Sequence, residues 1–389
     1  MRRSVDRILT THVGSLPRPP QLVAAYRGEP PDSPALARVL SDSVKEVVRQ
    51  QREAGVDIVN DGEFGKPVQD AVDYGAWMKY VGARMTGFEI RHKQTGMFPG
   101  KDRADFNEFY QLHAVEIGEI RPVEVVCTGP IAYTGQADVL RDLANFRSAL
   151  GGKGESDAFV PLVSPTSLES LQPNEYYKSA DDYAWALANA MKDEYEAVAN
   201  AGFIVQVDDP GIWVLWDFWF ALDKTFEEFR RFAATRVEML NHALSRIPRE
   251  QIRYHVCWGS WHGPHSADAP LSGIIDLILQ VNAGAYCVEA ANVRHEMDWK
   301  IWRDHAQELQ AQGKILIPGV VSHSTNLLET PELVSDRLLR FASAVGRENV
   351  IAGTDCGLGG RVHPQIAWAK LRTLAEGAAL ASRELWGRS

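Results

Sequence analysis

The sequence is poor in cysteine and has no long apolar run. Its 389 residues contain only four cysteines, too few for a disulfide framework in so long a chain: Cys127, Cys257, Cys287 and Cys356. No run of about 18 apolar residues occurs, so we expect no membrane span, and no signal-peptide run follows the basic start. We therefore expect a cytoplasmic protein with reduced thiols, in which a cysteine is a metal ligand, a nucleophile or a small buried side chain.

An excess of basic residues is also missing. Lys and Arg number 41 against 51 Asp and Glu, which gives a net charge of −10. Nucleic acid needs a basic face on the protein that binds it, so we expect no nucleic-acid partner. The hydrophobic share of 45% is ample for a large buried core. Composition therefore favours an ordinary acidic enzyme.

The sequence does contain a regular alternation of short apolar runs and longer helical segments. The runs predict eight strands, at 57–63, 123–129, 158–164, 203–209, 252–258, 285–290, 314–321 and 349–355. Helices are predicted between them, for example at 180–201, 225–246, 271–283, 299–312 and 331–345. Eight strand–helix units without a dinucleotide-binding fingerprint favour a closed TIM-type (β/α)8 barrel over an open sheet.

We expect one domain over residues 1–389. Residues 1–56 precede the first predicted strand and are expected to pack on the barrel as an N-terminal segment. Residues 84–122 have weak periodicity and read as an insertion that caps the barrel mouth. Residues 259–270 form a second loop insertion, rich in Gly, Pro and His.

Polar residues fall at the ends of the predicted strands, where TIM barrels carry their catalytic groups. His255 and Cys257 are two apart on one strand and face the same way, and an imidazole beside a thiolate suits zinc. A packed core pair would show the same dipeptide. Cys356 and Glu289 end two further strands, so these four side chains could complete a tetrahedral shell. Cys287, two residues before Glu289 on the same face, competes for that position.

These residues stand in segments that resemble the cobalamin-independent methionine synthase family. The matching segments occur in the family's order: Val13-Gly14-Ser15, Asp61-Gly62-Glu63-Phe64, Val205-Gln206-Val207-Asp208-Asp209-Pro210, His255-Val256-Cys257, Val288-Glu289, Pro318-Gly319-Val320 and Asp355-Cys356-Gly357. The resemblance extends over nearly the whole chain and covers the C-terminal catalytic barrel of the long enzymes.

The resemblance implies a zinc-dependent S-methyltransferase that makes methionine from homocysteine. It implies four zinc ligands, namely His255, Cys257, Glu289 and Cys356. It also implies that Ser15 and Glu63 contact the amino-acid part of homocysteine, that Asp208 pairs with its ammonium group, and that His323 helps to protonate the leaving group. The implied partners are a small-molecule thiol and a methyl donor, either a folate or a corrinoid protein, and a homo-oligomer stays open.

The chain departs from the family pattern where substrates would bind. Asp209 stands where the family has Glu, and Asp61 stands where it has His. Two alternatives therefore stay open: an alkyltransferase acting on another thiol or electrophile, like the epoxyalkane–coenzyme M transferases, and a non-catalytic zinc-binding paralogue. The tryptophans near two strand ends would either stack a pterin ring or pack the loops: Trp213, Trp216, Trp219, Trp258 and Trp261.

Overall fold

The computed structural model describes residues 1–67, 80, 82–91, 95–96, 100–113, 120–121 and 124–387. The strands in this part of the chain are Leu9–Thr10 (β1), Phe88–Arg91 (β2), Thr95–Gly96 (β3), Ile120–Arg121 (β4), Glu124–Cys127 (β5), Phe159–Val163 (β6), Ile204–Asp209 (β7), Ile252–Val256 (β8), Ala285–Val288 (β9), Ile315–Val321 (β10) and Ile351–Thr354 (β11). Seven of them form one sheet in the order β1-β11-β10-β9-β8-β7-β6, and every neighbouring pair is parallel.

Residues 57–60 close this sheet into a ring. The amide of Ile58 donates to the carbonyl of Thr10 in β1 (3.0 Å), and the amide of Phe159 in β6 donates to the carbonyl of Val59 (3.3 Å). The segment occupies the place of the predicted strand 57–63, but the chain turns at Gly62 (φ 70°) and Glu63 (φ 61°). The predicted TIM-type (β/α)8 barrel is confirmed.

Two strand predictions were wrong. The first strand of the sheet is β1, which lies within residues 1–56 and pairs with β11. A strand of two residues is too short to show the alternation that marks a strand in a sequence. The run at 123–129 contributes β5, which pairs antiparallel with β2 outside the barrel sheet. An apolar run indicates burial, but it does not indicate which strand will be the partner.

The helices surround the barrel. They span Pro20–Gly28, Pro34–Glu53, Lys101–Asp105, Asn107–His113, Gln136–Leu150, Pro165–Leu171, Ala180–Asn200, Pro210–Leu215, Phe226–Ala243, Ile275–Gln280, Trp299–Asp304, Ala306–Ala311, Pro331–Val345 and Pro364–Trp386. None of the described helices is both long and apolar enough to cross a membrane.

Local signals set the helix ends. The helix Phe226–Ala243 begins at a capping box between Thr225 and Glu228, and Thr330 caps Pro331–Val345, which has the predicted bounds. The helix predicted at 299–312 is broken at His305, whose φ of −102° is not helical. The one predicted at 271–283 is a 3-10 turn followed by the short helix Ile275–Gln280.

Part of the barrel interior is apolar. Side chains from the barrel strands and from residues 57–60 form one buried cluster, which includes Leu9, Ile58, Phe159, Ile204, Cys287, Ile315, Ile317 and Ile351. Other polar side chains of the same strands, such as those of Asp208 and His255, lie near the ends where the strands finish.

The predicted insertion at 84–122 is described in part. Residues 92–94, 97–99, 114–119 and 122 lie outside the described residues. Asp102, in the helix Lys101–Asp105, accepts hydrogen bonds from the amides of His265 (3.2 Å) and Ser266 (2.9 Å). This part of the insertion is therefore attached to the loop that follows β8.

Candidate active site

The ends of the parallel strands meet at one rim, and the site is built there. Asp208 lies near the end of β7 and His255 near the end of β8, while Cys257 directly follows β8. Glu289 directly follows β9, and Cys356 comes two residues after β11. The sheet thus delivers side chains that are far apart in sequence to one end of the barrel.

One imidazole and two thiols converge at this rim. The ligand atoms of His255, Cys257 and Cys356 all lie within 4.8 Å of one another, and the two Sγ atoms are 3.9 Å apart. His255 is buried, and neither of its ring nitrogens has a hydrogen-bond partner among the described residues. A buried imidazole without a partner is costly, and a metal ion is one of the ligands that would satisfy it.

The fourth predicted ligand belongs to a second, adjacent group. Glu289, His323 and Asp355 place their ligand atoms within 4.8 Å of one another, and all three side chains are buried. Glu289 accepts hydrogen bonds from the amide of Trp258 (3.1 Å) and from the side chain of Asn292. The structure therefore brings three of the four predicted ligands together and holds Glu289 beside them.

The pKa shifts show that the group of His255, Cys257 and Cys356 lies close to the group of Glu289, His323 and Asp355. Cys356 and burial raise the pKa of the Cys257 thiol well above its usual range, and the negative charge of Glu289 adds to this effect. Burial lowers the pKa of His323 to about 4, so its imidazole is neutral near pH 7. Asp355 is fixed by the amides of Ala290 and Ala291, each 2.8 Å from Oδ1.

The remaining two cysteines lie away from the metal-ligand group. Cys287 is fully buried inside the barrel, where its Sγ lies 3.4 Å from Arg253 and 3.8 Å from Gln206. Cys127 is in β5, outside the barrel sheet. Of the two residues that competed for the β9 position, Glu289 is the one at the rim.

The three predicted substrate contacts lie around the same rim. The carbonyl of Ser15 accepts from the amides of Leu358 and Gly359 (both 2.9 Å), which places Ser15 against the turn after Cys356. Burial raises the pKa of Asp208 to about 7; the positive charge of His255 opposes the shift, and the negative charge of Glu63 adds to it. Asp208 therefore lies close to both residues.

Sequence reasoning missed Lys66 and Gln206. The Nζ of Lys66 is 3.0 Å from Oε2 of Glu63, and both side chains are buried. Gln206 donates to Oδ1 of Asp208 at 2.8 Å. Their spacing was a usable signal, since Lys66 comes three residues after Glu63 and Gln206 faces the same way as Asp208. Glu63 is therefore ion-paired with Lys66, whereas Asp208 accepts a hydrogen bond from Gln206 and forms no salt bridge among the described residues.

The tryptophans near the rim mostly pack the loops. The ring of Trp258 stacks on His295 (centroids 3.8 Å apart), and that of Trp261 stacks on His265 (4.0 Å). Asp268 accepts from both histidines, so it links the loop after β8 to the segment after β9. Trp219 is more exposed than the others near the rim, at 39%.

Comparison with known proteins gives a consistent result. The family model described as the catalytic domain of cobalamin-independent synthases matches residues 171–379. The methionine synthase of Sulfolobus acidocaldarius is 24% identical over 392 residues, which cover 99% of this chain and 95% of that protein. The 2-hydroxypropyl-CoM lyase of Xanthobacter autotrophicus is also 24% identical, over 407 residues, covering 97% of this chain and 96% of the lyase.

A solved structure shares the fold. The B12-independent methionine synthase of Shewanella sp. W3-18-1, in complex with selenomethionine, superposes with a TM-score of 0.74 at 20% identity. The match covers 98% of this chain and 99% of that one.

Proposed function

The chain belongs to the cobalamin-independent methionine synthase family of methyltransferases, and from this premise we propose that it is zinc-dependent and that its methyl acceptor is homocysteine. The observation that carries the proposal is the convergence of His255, Cys257 and Cys356 at the barrel rim. A thiol that accepts a methyl group reacts as its thiolate, so the site needs a group that stabilises the thiolate. A metal ion held by this cluster would be such a group.

The donor set fits zinc. Imidazole nitrogen and thiolate sulfur are its preferred ligands in proteins, and the orphaned ring of His255 supplies the first. Glu289 is the proposed fourth ligand, held beside the thiols by its hydrogen bonds to Trp258 and Asn292. Bound zinc would lower the pKa of a coordinated thiol, so that the acceptor sulfur is present as a thiolate near neutral pH.

Asp208 is the proposed partner of the substrate ammonium. Glu63 is ion-paired with Lys66, whereas Asp208 forms no salt bridge among the described residues, so Asp208 is the better candidate to bind a cationic group. An ammonium group would also favour the ionised form of this carboxylate, whose pKa burial raises to about 7. Ser15 and Glu63 would then contact the rest of the amino-acid group.

His323 is proposed to serve the leaving group. A tertiary amine such as the nitrogen of methyltetrahydrofolate must be protonated as it leaves, which calls for an acid. Because burial lowers the pKa of His323 to about 4, its imidazole holds an extra proton only briefly. His323 would therefore act as the last carrier in a proton transfer.

A second candidate function is alkyl transfer to an anionic thiol such as coenzyme M. The observation that favours it is the position of Arg361. Its Nε lies 2.9 Å from Oγ of Ser260. Burial is the main cause of the low pKa of His323, and the positive charge of Arg361 lowers that pKa further. A cation at this rim would attract a sulfonate. The resemblance to a 2-hydroxypropyl-CoM lyase points the same way.

A screen of acceptors against donors separates the two functions. Zinc-loaded protein would be incubated with homocysteine or coenzyme M, and with methyltetrahydrofolate, a methylated corrinoid or an epoxyalkane. We expect methionine from homocysteine with one of the two methyl donors. Alkylation of coenzyme M, with no methylation of homocysteine, would establish the second candidate and exclude the first.

A further inference from the structure

Arg253 is a buried cation inside the barrel with no carboxylate partner among the residues that the structure describes. It is 1% exposed, and its guanidinium donates to Oγ1 of Thr11 (3.2 Å), the carbonyl of His12 (3.1 Å) and Sγ of Cys287 (3.4 Å). Its Cζ lies 3.9 Å from the ring centre of Phe159. A buried, unpaired charge destabilises a fold, so this one calls for a role.

A chain of hydrogen bonds leads from this cation to Asp208. Arg253 donates to Cys287, the thiol of Cys287 donates to Oε1 of Gln206 (3.8 Å), and Nε2 of Gln206 donates to Oδ1 of Asp208 (2.8 Å). Every donor points the same way, from the cation to the carboxylate. Hydrogen bonds in such a chain polarise one another and strengthen the last one.

The strands account for this arrangement. Gln206 pairs with Arg253 across β7 and β8, and Cys287 pairs with His255 across β8 and β9. Alternate residues of a strand face the same side, so each strand supplies one residue to a lower layer and one to the rim. Gln206, Arg253 and Cys287 each stand two positions before a rim residue at the end of the same strand, namely Asp208, His255 and Glu289.

We propose that Arg253 is a positioning residue for Asp208 and that, through Cys287 and Gln206, it makes the site specific for a thiol that carries an ammonium group. The inference rests on the proposed function, in which Asp208 binds that ammonium. Gln206 also donates to the carbonyl of Val13, which fixes its amide so that the other N–H points at Asp208. This chain of hydrogen bonds thus orients the carboxylate of Asp208 and stabilises its negative charge without touching the substrate.

The test compares two thiols that differ only in the amino group. Binding of homocysteine and of 4-mercaptobutanoate to the zinc-loaded full chain would be measured by calorimetry, and the ratio of the two affinities is the readout. Arg253→Met and Cys287→Ala should each lower the ratio by roughly two- to fourfold, because losing one link of the hydrogen-bond chain weakens the bond from Gln206 to Asp208 without removing it, and leave zinc content unchanged. Cys127→Ala, a buried thiol outside the barrel sheet, is the matched control and should keep the wild-type ratio.

Cys287→Ala retains the hydrogen bonds of Arg253 to Thr11 and His12. It therefore tests the chain of hydrogen bonds even if Arg253→Met does not fold. A wild-type protein that prefers homocysteine, together with variants that keep that preference, would overturn the positioning role alone. Equal loss of affinity for both thiols would overturn it too, because it would show a structural effect. A wild-type protein with no preference would refute the role of Asp208 in the proposed function, and this inference with it.

Discussion

Two of the four thiols lie together at the rim, and the other two do not. Because a serine hydroxyl ionises far too weakly to replace a thiolate, Cys257→Ser and Cys356→Ser should lose zinc. Cys287→Ser and Cys127→Ser should retain one zinc per chain, since neither thiol is in the group with His255. Elemental analysis after dialysis measures this. Zinc kept by Cys356→Ser and lost by Cys287→Ser would mean that a different set of sulfurs binds the metal.

Asp208 and Asp209 are neighbours that face opposite sides of their strand. Asp208→Asn removes the charge proposed to bind the ammonium, and we expect homocysteine affinity to fall by about 1.5–3 kcal/mol with zinc content unchanged. Asp209 instead accepts from Ser164 and Tyr254 (2.5 and 2.9 Å), so Asp209→Asn should lower stability and spare the affinity. Calorimetry and thermal melts measure the two effects. Unchanged homocysteine affinity in Asp208→Asn would remove this residue from the substrate site.

The loop after β1 passes close to the side chain of Glu63. A Cβ on Gly14 would come within 2.4 Å of Oε1 of Glu63, whose side chain is held by Lys66. Gly14→Ala should therefore displace Glu63 and weaken thiol binding while zinc stays bound. Gly28→Ala is the control, because a Cβ there meets no atom within 4 Å. Equal thiol binding in the two variants, measured by calorimetry, would show that the position of Glu63 is unimportant.

The helix Lys101–Asp105 holds the loop that follows Cys257. Asp102 accepts from the amides of His265 and Ser266 and from the hydroxyl of Tyr110 (2.7 Å). Asp102→Asn weakens these bonds, at a cost of about 1–3 kcal/mol, and should speed hydrogen exchange in residues 259–270. Asp105→Asn, in the same helix and paired with Lys101 at the surface, is the control. Exchange in this loop that is equally slow in both variants would contradict the attachment.

For the whole molecule, the sequence predicts the architecture well because the barrel repeats one unit. Strand–helix alternation and the rule that functional residues lie at strand ends predict a common location for His255, Cys257 and Cys356, which the structure brings together. A two-residue strand such as β1 has no pattern to detect, and the partner of β5 depends on chain packing. The pairing of Lys66 with Glu63 and the burial of Arg253 likewise depend on the three-dimensional arrangement, which local patterns do not specify.

His255, Cys257 and Cys356 are proposed to hold a zinc ion that takes up the acceptor sulfur as a thiolate. Titration of zinc-loaded protein with homocysteine, in buffers of different ionisation enthalpy, counts the protons released per thiol bound. We predict one proton released per homocysteine in the zinc-loaded protein, and no such release in zinc-free protein or in Cys356→Ser. Homocysteine binding of equal affinity and without proton release in the zinc-loaded and zinc-free proteins would contradict the account.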